Sequence, residues 1–250
     1  LRGMKAWYAD ARHHARLVTV LEDRLGHALA AAAEQAKIDV AQHGRAEVDL
    51  GLVEALAQHR EFTLLGPAGS GKSTLAAELV AQLQQSGIKA AAVSLDDYYL
   101  SNAQRQKLAL DIHPLLAQRG VPGTHDITRA IADAKAVLAG CDVALPQFDK
   151  ALDEHGAALA KQRLDILIVE GWCVGVAAQA EAELVEPVNP LEQGEDSDGR
   201  WRHYVNSQLS GLYADYWRLL KPLIWLKAPD WQSVCCWRAQ QEQQLWRERS

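Results

Sequence analysis

The chain lacks an excess of positive charge. Its 250 residues carry 26 Lys and Arg against 32 Asp and Glu, a formal net charge of −6. Neutralising a polyphosphate strand takes clustered Lys and Arg, so nucleic acid is not an expected partner. A small anionic ligand held by a few local cations remains compatible with this balance. Cysteine is sparse as well. Cys141, Cys173, Cys235 and Cys236 form no CxxC pair and no disulfide framework, and they read as free thiols of a reducing, cytoplasmic compartment. No apolar run approaches the ~18 residues of a membrane span, and no signal peptide, internal repeat or low-complexity linker is visible. The chain opens Leu1-Arg2-Gly3-Met4, as a fragment edge or an early in-frame start would. It stops at Ser250 inside a polar run of helical character, so further C-terminal structure is expected.

What is present points to an α/β chain. Hydrophobic residues make up 48% of the sequence, enough for one substantial domain with appended helix. Residues 1–58 read as a helical extension, with helices over 17–36 and 50–59, that either docks on the following domain or self-associates into a homo-oligomer. Residues 59–250 read as the main domain. Within it, apolar strand signals at 61–65, 90–95, 141–145, 164–169 and 223–226 alternate with helical spacing at 74–85, 127–139 and 205–219 and from 231 onward. Ser86-Gly87 ends the first of these helices and Asp126 caps the second. Residues 101–119 read as helical or irregular, and 146–155 and 187–200 as polar loops. Strands alternating with helices imply parallel βαβ units in a doubly wound sheet. Six of the eight Trp lie after residue 200 and read as packing residues.

The most specific signal is Gly66-Pro67-Ala68-Gly69-Ser70-Gly71-Lys72-Ser73, a full match to GxxxxGK[ST] between a predicted strand and a predicted helix. Glycines let successive backbone N–H groups turn into one cavity, where a side chain would block a phosphate. The helix that begins near Gly71 adds its positive end. Lys72 can reach the β- and γ-phosphates, and the Ser73 hydroxyl can ligate Mg2+. This loop identifies a nucleoside triphosphate site without separating kinase from ATPase or GTPase.

Acids sit where such a site needs them. Glu170 ends the strongest strand signal, Leu-Asp-Ile-Leu-Ile-Val, and a carboxylate at the tip of a parallel strand lies in the ligand crevice, where it can hold Mg2+. Asp96-Asp97 end the strand after the phosphate-loop helix. They are either a turn or N-cap pair, or one of them orients and deprotonates an acceptor hydroxyl; Asp96, nearer the strand, is the better candidate. Arg119-Gly120-Val121-Pro122-Gly123-Thr124-His125-Asp126 is either an ordinary loop ending in a helix cap or an anion-binding loop. Phe148-Asp149-Lys150 and Arg200-Trp201-Arg202-His203 are further polar clusters.

Taken together and in this order, Gly66 to Thr74, Ser94-Leu95-Asp96-Asp97-Tyr98-Tyr99, Pro122-Gly123-Thr124-His125-Asp126, Leu145-Pro146-Gln147-Phe148-Asp149-Lys150 and Glu170-Gly171-Trp172 resemble the D-glycerate 3-kinase family of P-loop kinases, most nearly its bacterial branch, with uridine kinase, phosphoribulokinase and pantothenate kinase as relatives. The resemblance runs over roughly residues 60 to 245. It implies the P-loop NTPase fold with a five-stranded parallel sheet flanked by helices. It also implies ATP and Mg2+ as cofactors, and transfer of the γ-phosphate to a hydroxyl of a small, anionic acceptor such as D-glycerate or a similar hydroxy or sugar acid. Asp96 falls where related kinases carry the base. Asp97, Tyr98, Thr124, His125, Asp126, Asp149 and Lys150 would face the acceptor. Arg119 or Arg202 would pair with its carboxylate, since a planar guanidinium fits that group. Arg238 would lie near the nucleotide with the loop from Gly66 to Thr74. A kinase of another acceptor, such as a nucleoside or pantothenate, and an ATP-driven switch protein are the alternative readings.

Overall fold

The computed structural model describes residues 61–65, 72–220, 223–225 and 239. They divide into two compact units, one containing Leu95–Gln162 and Gly175–Leu219, the other the described residues of His14–Ser94, Arg163–Val174 and Leu220–Ser250. The helical extension expected over 1–58 lies outside the described residues, as do Gly66 to Gly71 and Arg238 of the expected nucleotide site. No helix among the described residues is long and apolar enough to cross a membrane.

In the sheet unit, strand β1 (Glu61–Leu65) leads toward helix α1 (Lys72–Gln85), which returns to β2 (Ala90–Ser94). The chain comes back for β3 (Ile166–Gly171) and later for β4 (Leu223–Trp225). These four strands form one sheet in the order β2–β3–β1–β4, and every pairing is parallel. The order explains the composition of β3. It pairs on both edges, all six of its residues are buried, and the continuous run Ile-Leu-Ile-Val is what a strand covered on both faces requires. Its start is set by Lys89 and Asp165: the Lys89 N–H donates to the Asp165 carboxylate (3.0 Å) and the Asp165 N–H donates back to the Lys89 carbonyl (2.7 Å).

Helix α1 buries Leu75, Ala76, Leu79 and Leu83, a stripe of 3.6-residue period, against β1, β2 and β3. It stops where expected. Gly87 takes a left-handed conformation (φ 79°), and the Ile88 N–H closes onto the Leu83 carbonyl at 3.0 Å.

The helical unit starts with a 3-10 turn, Leu95–Tyr98, followed by α2 (Asn102–Asp111), α3 (Ile127–Leu138), α4 (Pro190–Glu195), α5 (Arg200–Gln208) and α6 (Ala214–Leu219). Side chains set the starts of α2 and α3. Ser101 and Gln104 form a reciprocal capping box on α2, and the Asp126 carboxylate accepts the Arg129 N–H (3.0 Å) at the start of α3. Four regions differ from the sequence reading, the first being the polar loop expected over 187–200, which contains α4. The strand expected over 141–145 is only Asp142–Val143 and lies outside the four-stranded sheet. The polar loop expected over 146–155 contains a short antiparallel hairpin, Phe148–Asp149 against Glu154–His155. The helix expected over 205–219 starts earlier, at Arg200, and is broken by a kink within Leu209–Tyr213, where Gly211 leaves helical geometry (φ −97°, ψ −121°). A lone Gly inside a helical pattern is tolerated, so it did not mark the break in sequence.

Leu79, wholly buried between α1 and the sheet, tests this packing. Leu79→Ala should destabilise the fold by about 2–5 kcal/mol, read as a lower urea midpoint with an unchanged m-value.

Candidate active site

Parallel pairing carries one acid to the edge of the sheet. Glu170 is in register with Leu64 of β1 and Ser94 of β2, near the C-terminal ends of all three strands. There its Oε1 accepts a hydrogen bond from the Ser73 hydroxyl at 3.0 Å. Ser73 is the second residue of α1, and Lys72, the first, is buried together with Glu170. Thr74 follows on the same helical turn and is half-buried. A hydroxyl and a carboxylate are hard oxygen donors. Adjacent ligands of an octahedral Mg2+ at 2.0–2.1 Å stand about 2.9 Å apart, so this pair matches the spacing that ion requires.

The second acidic site is Asp96, in the 3-10 turn of the helical unit. Both carboxylate oxygens have donors: the Tyr99 hydroxyl to Oδ1 at 3.0 Å, and the Lys150 ammonium to Oδ2 at 2.6 Å. Asp96 is about a quarter exposed (24%) and Lys150 more than half (56%). The base expected at Asp96 and the acceptor cation expected at Lys150 are therefore in direct contact. Asp97 is turned to the hairpin, where it accepts the Phe148 N–H (3.3 Å). Asp149 accepts the Ala151 and Leu152 N–H groups (2.8 and 3.0 Å), an Asx turn that shapes the backbone carrying Lys150.

Four residues expected to face an acceptor instead hold the fold. Tyr98 is buried and donates to Asp133 on α3 at 3.1 Å. Burial first, then the neighbouring Tyr216 and the negative charge of Asp133, hold the Tyr98 hydroxyl well above its ordinary pKa, and burial likewise raises Asp133. Thr124 is fully buried; its hydroxyl donates to the Val121 carbonyl (2.7 Å) and accepts the Gly120 N–H (3.2 Å). Asp126 is the cap of α3. His125 is buried, its ring stacked on Tyr99 (centroids 4.5 Å apart) and its Nδ1 2.7 Å from the Tyr213 hydroxyl. Burial lowers its pKa to about 3, opposed only by the charge of Asp96, so it is neutral at physiological pH. A loop rich in Thr, His and Asp reads as ligand-binding in sequence. Here those groups satisfy a tight turn in which Gly123 has φ 100°, and a Cβ on Gly123 would stand 2.6 Å from the Tyr204 ring.

The two arginines proposed for an acceptor carboxylate are similarly engaged. Arg202 is buried, with Nε on the Leu184 carbonyl (2.7 Å), Nη1 on the Asp196 carboxylate (3.0 Å) and Nη2 on the Val185 carbonyl (3.2 Å). This corrects the expectation, because its planar fork is saturated by the fold. Asp196 also accepts the Trp201 and Arg202 N–H groups at the start of α5 (2.7 and 3.1 Å). It lies with Asp198 close to His113, a grouping with the outline of a metal site. His113 Nδ1, however, accepts the Leu115 N–H (3.3 Å), which leaves Nε2 as a proton donor facing Asp196 and not as a metal ligand. Arg119 pairs with Asp153 and donates to the Lys150 carbonyl (3.2 Å).

Sequence reasoning missed Arg105 and Asp153. Arg105, 1% exposed, projects from α2 onto Asp153, the Leu100 carbonyl and the Ala117 carbonyl. Hydrogen bonds from Asn102 and Arg119, with the charge of Arg105, hold the Asp153 carboxyl below the usual carboxylate range. Both guanidiniums also lie over the Phe148 ring (5.9 and 5.8 Å to its centroid), so this cluster fixes the hairpin that presents Lys150. A lone arginine on a polar helix carries no local sign of burial.

No family model matches the chain. A Schizosaccharomyces pombe protein, the uncharacterized kinase mug58, is 32% identical over 200 residues, 72% of this chain and 69% of that protein. The chloroplastic D-glycerate 3-kinase of Arabidopsis thaliana is 26% identical over 191 residues, 70% of this chain but only 39% of the plant protein. Among solved structures, the D-glycerate 3-kinase of Cryptococcus neoformans var. grubii matches with a TM-score of 0.61 at 25% identity, covering 80% of this chain and 78% of the fungal one.

The buried imidazole has a consequence for stability. With a folded pKa of about 3 for His125 and an unfolded pKa near 6.5, the unfolded chain binds a proton that the folded chain refuses. Stability from this group is complete above pH 6.5 and is lost as pH falls toward 3, by about 2 kcal/mol at pH 5. Urea titrations at pH 7 and pH 5 should show this loss in the wild type and a smaller one in His125→Asn.

Proposed function

Since the chain belongs to the glycerate-kinase-like family of P-loop kinases, we propose that it transfers the γ-phosphate of ATP to a hydroxyl of a small hydroxy acid, D-glycerate or a close analogue. The observation that carries the acceptor half of this reading is the Asp96 carboxylate, fixed by Tyr99 on one oxygen and by Lys150 on the other. A partly exposed ion pair is worth only about 0–1 kcal/mol. Lys150 can therefore leave Asp96 for an acceptor carboxylate at small cost, and that frees Oδ2 for the acceptor hydroxyl. Asp96 then takes the hydroxyl proton as the acceptor oxygen bonds to the γ-phosphorus and the phosphorus–oxygen bond to ADP breaks.

On the nucleotide side, the motif read in the sequence from Gly66 to Thr74 would supply backbone amides for the phosphates, and Lys72 would offset phosphate charge. Ser73 and Glu170 would hold Mg2+, which offsets charge on the β- and γ-phosphates when bound. Positioning and electrostatics supply most of the catalysis in this class of reaction. With Arg202 saturated and Arg119 engaged, Lys150 is the cation best placed to recognise an anionic acceptor. This favours a hydroxy acid over a nucleoside or another neutral alcohol.

The direct test is ADP release by the full-length chain with Mg-ATP and D-glycerate, glycerol, uridine or pantothenate, followed by mass spectrometry of the product. Acceptor-dependent turnover greatest with D-glycerate or a related hydroxy acid is expected. Acceptor-independent hydrolysis, or preference for a nucleoside, would overturn the reading. Asp96→Asn should lower kcat by roughly 10²–10⁴-fold while nucleotide affinity is retained. Glu170→Gln should raise the Mg2+ concentration needed for half-maximal turnover.

A further inference from the structure

We infer that Tyr213, which no motif singles out, is a positioning residue for the base, acting on Asp96 through His125 and Tyr99; the inference rests on the kinase reading above. Asp96 takes its Oδ1 hydrogen bond from the Tyr99 hydroxyl at 3.0 Å, so the location of the Tyr99 ring sets that oxygen. The Tyr99 ring is buried and stacks on His125 with an interplanar angle of 21°. The same two residues form an isolated backbone bridge, reinforced by Leu100 N–H to the Thr124 carbonyl (2.9 Å) and Asp126 N–H to the Tyr98 carbonyl (2.6 Å). The turn carrying Asp96 is thus tied to the loop carrying His125.

Tyr213 in turn fixes that loop. Its hydroxyl accepts the Gly123 N–H at 2.8 Å and bonds His125 Nδ1 at 2.7 Å, and its ring meets the His125 ring edge-on, 6.0 Å between centroids. One buried hydroxyl therefore anchors both ends of the Gly-Thr-His segment. Tyr213 follows a break in the helix: Gly211, two residues before it, leaves helical geometry (φ −97°, ψ −121°). The effect of Tyr213 passes through its own hydroxyl, the His125–Tyr99 stack and the Tyr99 hydroxyl.

Tyr213→Phe isolates the effect, because it keeps the ring and removes only the oxygen. We expect kcat with D-glycerate, per nucleotide-binding chain, to fall about tenfold with the KM for ATP unchanged. If Tyr213 acts through Tyr99 and Asp96, its removal in a Tyr99→Phe background should cost less than twofold, since the link is already cut. Equal losses in both backgrounds, or no loss in either, would overturn the inference and leave Tyr213 a packing residue. Should Tyr213→Phe fail to fold, His125→Phe keeps a ring on Tyr99 and removes the Nδ1 contact, and the same pattern of non-additive loss is expected from it. A readout without turnover separates this inference from the kinase reading. The carboxylate carbon resonance of Asp96, assigned by its loss in Asp96→Asn, should move in Tyr213→Phe. A wild type that phosphorylates no acceptor but shows this shift would overturn the kinase reading alone. An unmoved resonance would overturn the relay.

Discussion

The constraint on which the nucleotide side depends is that β3 is paired along both edges. A strand hydrogen-bonded to β1 on one side and β2 on the other has little freedom of register, because a shift by one residue would put both ladders out of step at once and draw the exposed Asp165 into the buried run. The position of Glu170 follows from that register, opposite Leu64 and Ser94, and within reach of the first turn of α1. Ser73 meets it there because α1 follows β1 and packs back across the same strands. The Ser73–Glu170 contact joins residues 97 positions apart in sequence, yet it needs no special device beyond a buried parallel sheet and a helix that returns along it.

The helical unit solves a different problem. It has to hold a carboxylate steady while leaving it partly exposed. It does so with aromatic rings: Tyr99 on Asp96, His125 on Tyr99, Tyr213 on His125. Desolvation keeps His125 neutral, so the stack beside Asp96 adds no positive charge there. The remaining positive charge is divided by burial. Arg105 and Arg202 are inside and saturated, Arg119 is half-buried and braces the hairpin, and Lys150 alone of these is mostly exposed while touching Asp96. A flexible ammonium in an exposed pair can be redirected by an anion, whereas a buried guanidinium with three or four partners cannot.

Much of this was legible in the residues. The strand at 61–65, the helix ending at Ser86-Gly87, the buried strand at 164–169 and the Asp126 cap all follow from local rules of periodicity, capping and glycine conformation, and they lie within a residue or two of expectation. The pairing of Ser73 with Glu170 was foreseeable because both ends are anchored to regular elements whose mutual placement the parallel sheet dictates. The loop at Gly123 to Asp126 was not. Its polar residues suit a ligand and an internal turn equally well, and only the direction of each side chain separates the two.

Sequence by itself determined the α/β class, the phosphate-loop signature and which acids stand at strand ends, because these depend on neighbours close in the chain or on a repeating period. Tertiary structure alone decided which polar groups remain available. Arg202 was consumed by Asp196 and the Leu184 and Val185 carbonyls, and Thr124 by its own turn, while Lys150 was brought to Asp96 across 54 residues. The physical reason is that a buried donor must find an acceptor wherever the fold supplies one. The identity of that acceptor is a property of the packing, not of the residues on either side.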